Sequence, residues 1–262
     1  MTCWIIIPVK APPLAKGRLA GALGASERDA LTRAMLRRAV GAAQATSYPL
    51  PDPPPTGEVA RPPYLGRDGA GRSKLAAEAA CTLPRADLSA PLLQLRRSPS
   101  PSGGELRDGI PCKIALISTS RLGLPETFEL LPEPEGGLNA AVTSARAQLA
   151  QRDCSRIVTL AADLPLVTAA DVAALAALPP GVIGIAPDRH GTGTNALSLP
   201  MPSASAFTYS YGPGSFALHK AEAERLGLPV EIIATPGLAR DIDDPADLPD
   251  AAALLAQLDA AQ

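Results

Sequence analysis

Short apolar runs rich in β-branched residues alternate in this chain with stretches whose apolar residues recur at helical spacing. The first run covers residues 4–9, and a helical stretch begins at Ser26, with Asp29 in the position of a capping-box acid. Strands that alternate with helices favour an α/β fold with a mostly parallel sheet covered on both faces. In such sheets, ligands bind beyond the carboxyl ends of the strands.

The same alternation continues in the second half of the chain. It predicts further strands at residues 113–117, 156–161, 182–186, 196–199 and 230–233. It predicts helices at residues 138–149, 168–178 and 214–226, and a last helix that Asp244 and Pro245 open. Residues 47–111 interrupt the pattern, because they hold 12 of the 29 prolines and show little periodicity. We interpret them as an irregular insertion in a single domain that spans residues 1–262.

The charge composition gives no indication of nucleic acid or an anionic membrane as a partner. The 24 basic and 26 acidic side chains give a net charge of −2, which provides no footprint for nucleic acid or for an anionic membrane. The amino-terminal apolar run is too short for a signal peptide, and no run approaches the length of a membrane span. The four scattered cysteines are expected to be reduced thiols. We therefore expect a cytoplasmic protein, and nothing in the sequence indicates its oligomeric state.

A basic loop follows the first predicted strand. It carries Lys10, Lys16 and Arg18 among prolines and glycines, at the place where a parallel sheet presents its ligand crevice. Cations at this place would neutralise a triphosphate, with the arginine forking onto two oxygens. The alternative is a solvated loop whose charges only keep it in water. The loop matches neither a Walker P-loop nor a dinucleotide-binding glycine pattern.

Three aspartates form a candidate metal site. Asp163 stands at the end of a predicted strand, and Asp241 and Asp243 alternate on an extended segment, so their side chains share one face. Carboxylates held together are unfavourable without a cation, which points to a divalent metal such as Mg²⁺. The alternatives are a turn role for Asp163 and, for Asp244, a helix cap.

Two glycine-containing segments carry neutral hydrogen-bond donors. Residues 191–194 alternate glycine with threonine, which suits a carboxylate or phosphate held by amides and hydroxyls. Ser215 follows glycine turns at a predicted helix start, where backbone amides and the helix dipole favour an anion. The alternatives are a plain hairpin turn and an ordinary helix cap. We interpret His190 and His219 as surface or structural residues rather than as catalytic bases.

Six segments in this order resemble the guanylyltransferases that make the deazaflavin coenzyme F-420, which act on 2-phospho-L-lactate, phosphoenolpyruvate or 3-phospho-D-glycerate. The matching segments are PVK with AKGRL, EPEGGLNAAV, ADLPL, PDRHGTGTNAL, YGPGSFALH and PGLARDIDDPADL. They lie within residues 4–40 and 113–248. The ordered set is specific, above all GTGTNAL followed by YGPGSF and DIDDP.

The resemblance implies a Rossmann-like nucleotidyltransferase sheet of the glycosyltransferase-A type and transfer of a guanylyl group from GTP to a small phosphorylated acid. It assigns roles to nine residues: Lys16, Arg18 and Asn139 bind the nucleotide, with Lys16 and Arg18 also catalytic; Thr194, Gly212 and Ser215 bind the acid; Asp163, Asp241 and Asp243 bind Mg²⁺. Lys10, in the same basic loop as Lys16 and Arg18, is expected to bind the nucleotide as well. Ala161 stands where some relatives carry a further aspartate.

Three alternatives stay open at this point. The acid is phosphoenolpyruvate or 3-phospho-D-glycerate rather than 2-phospho-L-lactate if the bacterial character of the composition is a guide. A molybdopterin or sugar-phosphate nucleotidyltransferase would share the fold, although such relatives usually open with a glycine-rich loop that is missing here. A GTP-binding regulator without catalysis is the alternative outside the enzymes.

Overall fold

The computed structural model describes residues 2–9, 16–46 and 112–259. The described residues belong to one compact unit. Lys10 and the predicted insertion at residues 47–111 lie outside them, so the single-domain organisation stays a prediction. Among the described residues, no helix is both long enough and apolar enough to cross a membrane.

The described chain alternates strands and helices. The strands are β1 (Cys3–Pro8), β2 (Cys112–Ile117), β3 (Glu129–Leu131), β4 (Arg156–Leu160), β5 (Ile183–Pro187), β6 (Thr194–Pro200) and β7 (Val230–Ile232). The helices are α1 (Ala25–Thr46), α2 (Gly137–Ala150), α3 (Ala169–Ala176), α4 (Ser215–Arg225), α5 (Pro236–Ala239) and α6 (Ala252–Asp259). Two 3-10 helices cover Gly17–Gly21 and Pro245–Ala251.

Within the described residues the strands form one sheet in the order β3-β2-β1-β4-β6-β5-β7. Neighbouring strands are parallel except at β6, which runs antiparallel to both β4 and β5. The mostly parallel sheet is therefore confirmed. Because β6 is reversed, its first residues lie beside the carboxyl end of β4, where the Ala161 amide donates to the Asn195 carbonyl at 2.9 Å.

Alternating side chains of β1 divide the core between the two faces of the sheet. Ile5 and Ile7 pack with α1 and α3 on one face, whereas Trp4 and Ile6 pack with α2 and α4 on the other. A strand buried on both faces has no polar alternation, which explains the continuous apolar run in the sequence. Helices on both faces are confirmed.

The predicted helices are present and start within one residue of the predicted positions, although the last one opens as a 3-10 helix and the capping acid of α1 differs. This helix begins at Ala25, and it is Glu27, not Asp29, whose carboxylate accepts the Gly24 amide at 2.6 Å. Asp29 pairs instead with Arg33 one turn further along, at 2.9 Å. The helix starts one residue earlier than predicted, so the acid three residues after the cap is Glu27. The Thr168–Asp171 capping box of α3 is present.

Candidate active site

Lys16 brings together two of the three predicted metal-binding aspartates. Its ammonium nitrogen lies 2.6 Å from Asp163 Oδ2 and 3.1 Å from Asp243 Oδ1. The lysine side chain is 9% exposed, whereas those of Asp163 and Asp243 are 30% and 53% exposed. The two carboxylates therefore open onto solvent from a mostly buried cation, at the carboxyl end of β4.

A small apolar cluster explains why segments so distant in sequence meet here. Leu19, from the 3-10 helix after Lys16, and Ile242, between Asp241 and Asp243, are fully buried in one cluster with Leu31 and Met35 of α1. The Ile242 amide also donates to the Asp163 carbonyl at 3.2 Å. Burial of alternate apolar residues leaves the intervening polar side chains at the crevice.

The backbone and the charge of Lys16 are both unusual. The residue adopts a left-handed conformation, with φ 58° and ψ 38°, which a non-glycine residue adopts only at a cost of about 1 kcal/mol or more. Burial alone would lower the pKa of Lys16, but the negative charges of Asp163 and Asp243 and their hydrogen bonds outweigh it and raise that pKa. The lysine is thus held in a strained position as a permanent cation.

Asp241 lies in the same negatively charged region. Burial raises its pKa, the charge of Asp163 raises it further, and the charge of Asp243 adds a smaller contribution. The Asn195 amide opposes this shift by donating to Asp241 Oδ1 at 3.3 Å while it also donates to the Leu238 carbonyl at 2.9 Å. Asn195, which sequence reasoning missed, therefore orients the carboxylate. All three predicted aspartates meet at this edge of the sheet.

Asp247 was also missed, and it fixes the backbone that carries Asp243. Its carboxylate is buried, accepts the amides of Asp243 and Asp244 at 2.8 and 2.9 Å, and pairs with Arg189. Asp244 occupies the cap position of the 3-10 helix Pro245–Ala251 with Asp247 three residues on. That capping-box spacing is visible in the sequence and could have identified Asp247.

A cavity of about 590 Å³ adjoins this charged cluster. Its polar lining includes Lys16, Arg18, Glu133, Asp163 and Asp243. Its apolar lining comes from β1, α1, β2 and α2, and comprises Val9, Met35, Ile117, Leu138 and Ala141. The Arg18 side chain is 72% exposed and lies 3.8 Å from Asp244 Oδ2. The cavity thus combines an apolar wall with a charged end, and its volume falls in the range of about 300–1,000 Å³ typical of ligand sites.

The three residues predicted to bind the acid lie at the start of β6, at the start of α4 and in the turn before α4. Thr194 begins β6 and is 8% exposed, Ser215 begins α4 and is 1% exposed, and Ser215 donates its amide to the Gly212 carbonyl at 3.1 Å. Gly212 has φ +129°, a conformation that disfavours any side chain. The Phe216 amide donates to the Thr192 carbonyl at 3.1 Å, which joins the start of α4 to the loop before β6.

The loop between β5 and β6 is a hairpin turn closed by its own aspartate. The Asp188 carboxylate accepts the amides of His190 and Thr192 at 3.1 and 2.8 Å and the Thr192 hydroxyl at 3.1 Å. Those donors are therefore engaged within the loop, and the sequence interpretation that they face a ligand does not describe this structure. Thr194, at the end of the loop, is buried, and its hydroxyl oxygen lies 3.0 Å from Nδ1 of His219.

The resemblance assigns Asn139 to nucleotide binding, but in the structure its side chain binds the backbone of Tyr211. Its amide nitrogen donates to the Tyr211 carbonyl at 3.0 Å, and its amide oxygen accepts the Tyr211 amide at 2.7 Å. Both polar ends of the side chain are thus bound to the backbone just before Gly212. The contact positions the turn that leads into α4, and the cavity wall beside it is formed by Leu138 and Glu133.

The donor chemistry of the aspartates suits a hard divalent cation, although they do not form a preorganised cage. Among residues 2–9, 16–46 and 112–259, no group of three or more His, Cys, Asp or Glu side chains is arranged to hold a metal ion. Mg²⁺, however, is typically held by one or two carboxylates, with phosphate oxygens and water completing its shell. Burial and then the charge of Asp163 raise the pKa of Asp241, and such an ion would neutralise that charge.

His219 gives the stability of the protein a specific pH dependence. Burial lowers the pKa of His219 from 6.5 to about 4, against a smaller raising effect of Glu222. Between those pH values the unfolded chain binds a proton that the folded chain does not, so the free energy of unfolding falls by about 3 kcal/mol as the pH falls. Above pH 6.5 the imidazole is neutral in both states and adds no slope.

Urea unfolding of the parent and of His219→Gln at pH 7 and pH 4.5 measures this contribution. The difference in unfolding free energy between the two proteins should shrink on acidification, since only the parent loses the His219 contribution. His190→Gln, which alters an exposed histidine, should behave as the parent does. An unchanged difference would contradict a neutral, buried His219.

Two solved structures share this fold. A nucleotide-diphospho-sugar transferase from Desulfovibrio desulfuricans has a TM-score of 0.57 at 12% identity, covering 98% of this chain and 97% of that chain. A nucleotidyl transferase from Methanothermobacter has a TM-score of 0.53 at 9% identity, covering 98% and 99% of the two chains. Identities this low show the fold alone. The sheet is thus of the nucleotidyltransferase type, as expected from the resemblance.

The family model described as guanylyl transferase CofC like matches residues 120–253. That range is half of the chain and contains all the predicted site residues outside the basic amino-terminal loop. The protein belongs to this family. Membership of this family disfavours the alternative of a molybdopterin or sugar-phosphate nucleotidyltransferase.

Several curated relatives share one name. Phosphoenolpyruvate guanylyltransferases from Chloroflexus aurantiacus, Sphaerobacter thermophilus and Chloroflexus aggregans are 38%, 44% and 39% identical over 52%, 45% and 52% of this chain. The matches span 66%, 56% and 68% of those relatives, so the chain covers between about half and two thirds of their length.

Proposed function

We propose that this protein transfers a guanylyl group from GTP to phosphoenolpyruvate with release of pyrophosphate, as a step in the biosynthesis of the deazaflavin coenzyme F-420. One observation carries the proposal. Basic Lys16 and acidic Asp163 and Asp243 converge at the charged end of a cavity, in a chain whose curated relatives are named for this reaction. Of the three acids expected from the sequence, those names favour phosphoenolpyruvate.

The cavity lining supports a nucleotide with its base toward α2 and its phosphates toward Lys16. The apolar wall of Val9, Ile117 and Ala141 suits a flat base, and Lys16 and Arg18 suit the triphosphate. Lys16 leaves its carboxylate partners for a phosphate when the nucleotide enters, whereas exposed Arg18 moves onto the phosphates without breaking a close contact. Both then neutralise charge that builds up on the phosphates.

We infer direct displacement. A phosphate oxygen of the acid attacks the α-phosphorus of GTP in line, the bond to the β-phosphate oxygen breaks, and pyrophosphate leaves. No side chain becomes covalent, so catalysis consists of positioning and charge neutralisation. Thr194, Gly212 and Ser215 hold the acid from β6 and α4, beside the aspartates of the crevice.

The aspartates are proposed to hold Mg²⁺. Asp241 does not pair with Lys16, whereas Asp163 and Asp243 would become available as carboxylate ligands once Lys16 has turned toward the phosphates. The ion, when bound, supplies charge neutralisation on the phosphate oxygens. Lys10, which lies outside the described residues, is proposed to add a further cation to the nucleotide site.

A cytoplasmic location of the protein stays a prediction.

A pyrophosphate-release assay tests the reaction. Purified protein with GTP and Mg²⁺ is given phosphoenolpyruvate, 3-phospho-D-glycerate or 2-phospho-L-lactate in turn. We expect release with phosphoenolpyruvate, at least tenfold above either other acid, and a guanylylated product detectable by mass spectrometry. Release with another acid would overturn the choice of substrate, and GTP binding without release for any acid would favour the regulator.

A further inference from the structure

His219 contacts two segments of the proposed acid site from α4. Its imidazole is fully buried; the Ser210 amide lies 3.0 Å from Nε2, and the Thr194 hydroxyl oxygen lies 3.0 Å from Nδ1. The Tyr211 ring packs edge-on against it at 4.9 Å between centroids, and the Phe207 ring lies at 5.8 Å. Both nitrogens are therefore occupied, and neither is available to act as a base.

The contact with Ser210 decides the tautomer. A backbone amide can only donate, so Nε2 must carry the lone pair that accepts it. A neutral imidazole then has its proton on Nδ1, and this N–H donates to the Thr194 oxygen. Burial, which lowers the pKa of His219 to about 4, keeps the ring neutral at neutral pH.

The direction of the second hydrogen bond matters for Thr194. A hydroxyl has one proton and two lone pairs, and the Nδ1–H takes one of the lone pairs. The hydroxyl proton therefore points away from the imidazole and can be donated elsewhere. With the opposite tautomer, Nδ1 would accept this proton and Thr194 would present only lone pairs to an anion.

We propose that His219 is a positioning residue that holds the Thr194 hydroxyl as a hydrogen-bond donor toward the phosphorylated acid. The proposal rests on the proposed function, because it takes Thr194 as a contact of that acid. His219 also ties the Ser210 backbone, two residues before Gly212, to the start of β6. The His219 side chain thus fixes the start of β6 relative to the turn before α4, the two segments that would bind the acid.

The tautomer can be read without any activity. The chain contains two histidines, so histidine labelled with ¹⁵N gives two imidazole spectra, and His190→Gln removes the second one. We expect a neutral ring protonated on Nδ1 at pH 7. A ring protonated on Nε2, or an imidazolium, at pH 7 would overturn the proposal even if guanylyl transfer is observed.

Two substitutions separate positioning from a merely structural role. His219→Gln places an amide oxygen near the Nε2 position, so Ser210 keeps an acceptor but Thr194 loses its donor. His219→Asn places an amide N–H near the Nδ1 position, so Thr194 keeps its donor but Ser210 loses its acceptor. Because the Thr194 hydroxyl is no longer held in the orientation that donates to the anion, we expect His219→Gln to raise the KM for the acid about tenfold.

His219→Asn should raise that KM by no more than a few-fold, and the KM for GTP should stay near the parental value in both variants. Thr194→Val should raise the KM for the acid less in His219→Gln than in the parent, since part of the contribution of the oriented hydroxyl is already lost. Equal increases of the acid KM in the two His219 variants would overturn the proposal. If the parent guanylylates no acid, the proposed function fails, and the spectrum still reports the tautomer.

Discussion

Replacing Asp163 by Asn should lower the rate of pyrophosphate release about 1,000-fold or more, with the fold intact. The substitution keeps the size of the side chain and removes its negative charge. Lys16 then loses the partner that lies 2.6 Å from its ammonium, and a divalent cation loses a carboxylate ligand. Groups that neutralise charge in a transition state are typically worth about 10²–10³-fold each, and this change disturbs two of them.

The matched control is Asp153→Asn, on an exposed loop before the amino end of β4. Asp153 and Asp163 flank the same strand, so both variants remove one negative charge, at opposite ends of β4. The control should keep the parental rate, and circular dichroism should show that both variants are folded. If Asp163→Asn releases pyrophosphate at the rate of the control, Asp163 does not bind the catalytic metal. The charged end of the cavity would then have no role in catalysis.

The convergence of the aspartates could be predicted from the sequence because it follows from topology. Asp163 follows a short apolar run whose length and β-branched residues favour a buried strand, and parallel strands present their carboxyl ends at one edge of the sheet. Asp241 and Asp243 flank a single apolar residue, Ile242, whose burial turns its neighbours outward. The apolar pattern of the sequence identifies the strand and the buried residue, and the parallel sheet then places the three aspartates at one edge.

The partners of these residues could not be predicted, because they depend on contacts between distant segments. Lys16 and Asp163 are separated by 147 residues, and Asn139 and Tyr211 by 72. Nothing local distinguishes an asparagine that binds a nucleoside from one that binds a backbone turn. The burial of His219 likewise depends on Phe207 and Tyr211 packing around it, so the sequence favoured a structural role without indicating its hydrogen bonds.

Ala161 stands where some relatives carry a further aspartate, and its backbone contacts Asn195. Ala161 lines the cavity, and its amide donates to the Asn195 carbonyl at 2.9 Å. The Asn195 side chain in turn orients Asp241. Two carboxylates with phosphate oxygens and water are sufficient for Mg²⁺, so a neutral residue at position 161 is compatible with the proposed site. With alanine rather than aspartate at position 161, Lys16 has one carboxylate fewer to neutralise when no nucleotide is bound.

Replacing Lys16 by Met should lower turnover about 100- to 1,000-fold and make the protein more dependent on Mg²⁺ for its stability. Methionine keeps the length of the side chain and cannot neutralise the carboxylates. Because Asp163 and Asp243 are partly exposed, we expect a loss of only about 1–2 kcal/mol in the free energy of unfolding without metal. The left-handed backbone at residue 16 is equally unfavourable for both side chains, so this difference reports the charge rather than the strain.

Thermal unfolding with EDTA and with Mg²⁺, in the absence of nucleotide, measures the second effect. In the parent, the ammonium already neutralises the aspartates, so added Mg²⁺ gains little by binding there. In Lys16→Met, Asp163 and Asp243 have lost the cation with which they pair, so the Tm should rise more with Mg²⁺ than in the parent. Lys113→Met, at the amino end of β2 and exposed, is the control and should respond to Mg²⁺ as the parent does. Equal responses in all three proteins would mean that the carboxylates around Lys16 do not bind the ion, and Lys16 would then be a structural ion-pair partner rather than the group that gives way to GTP and its metal.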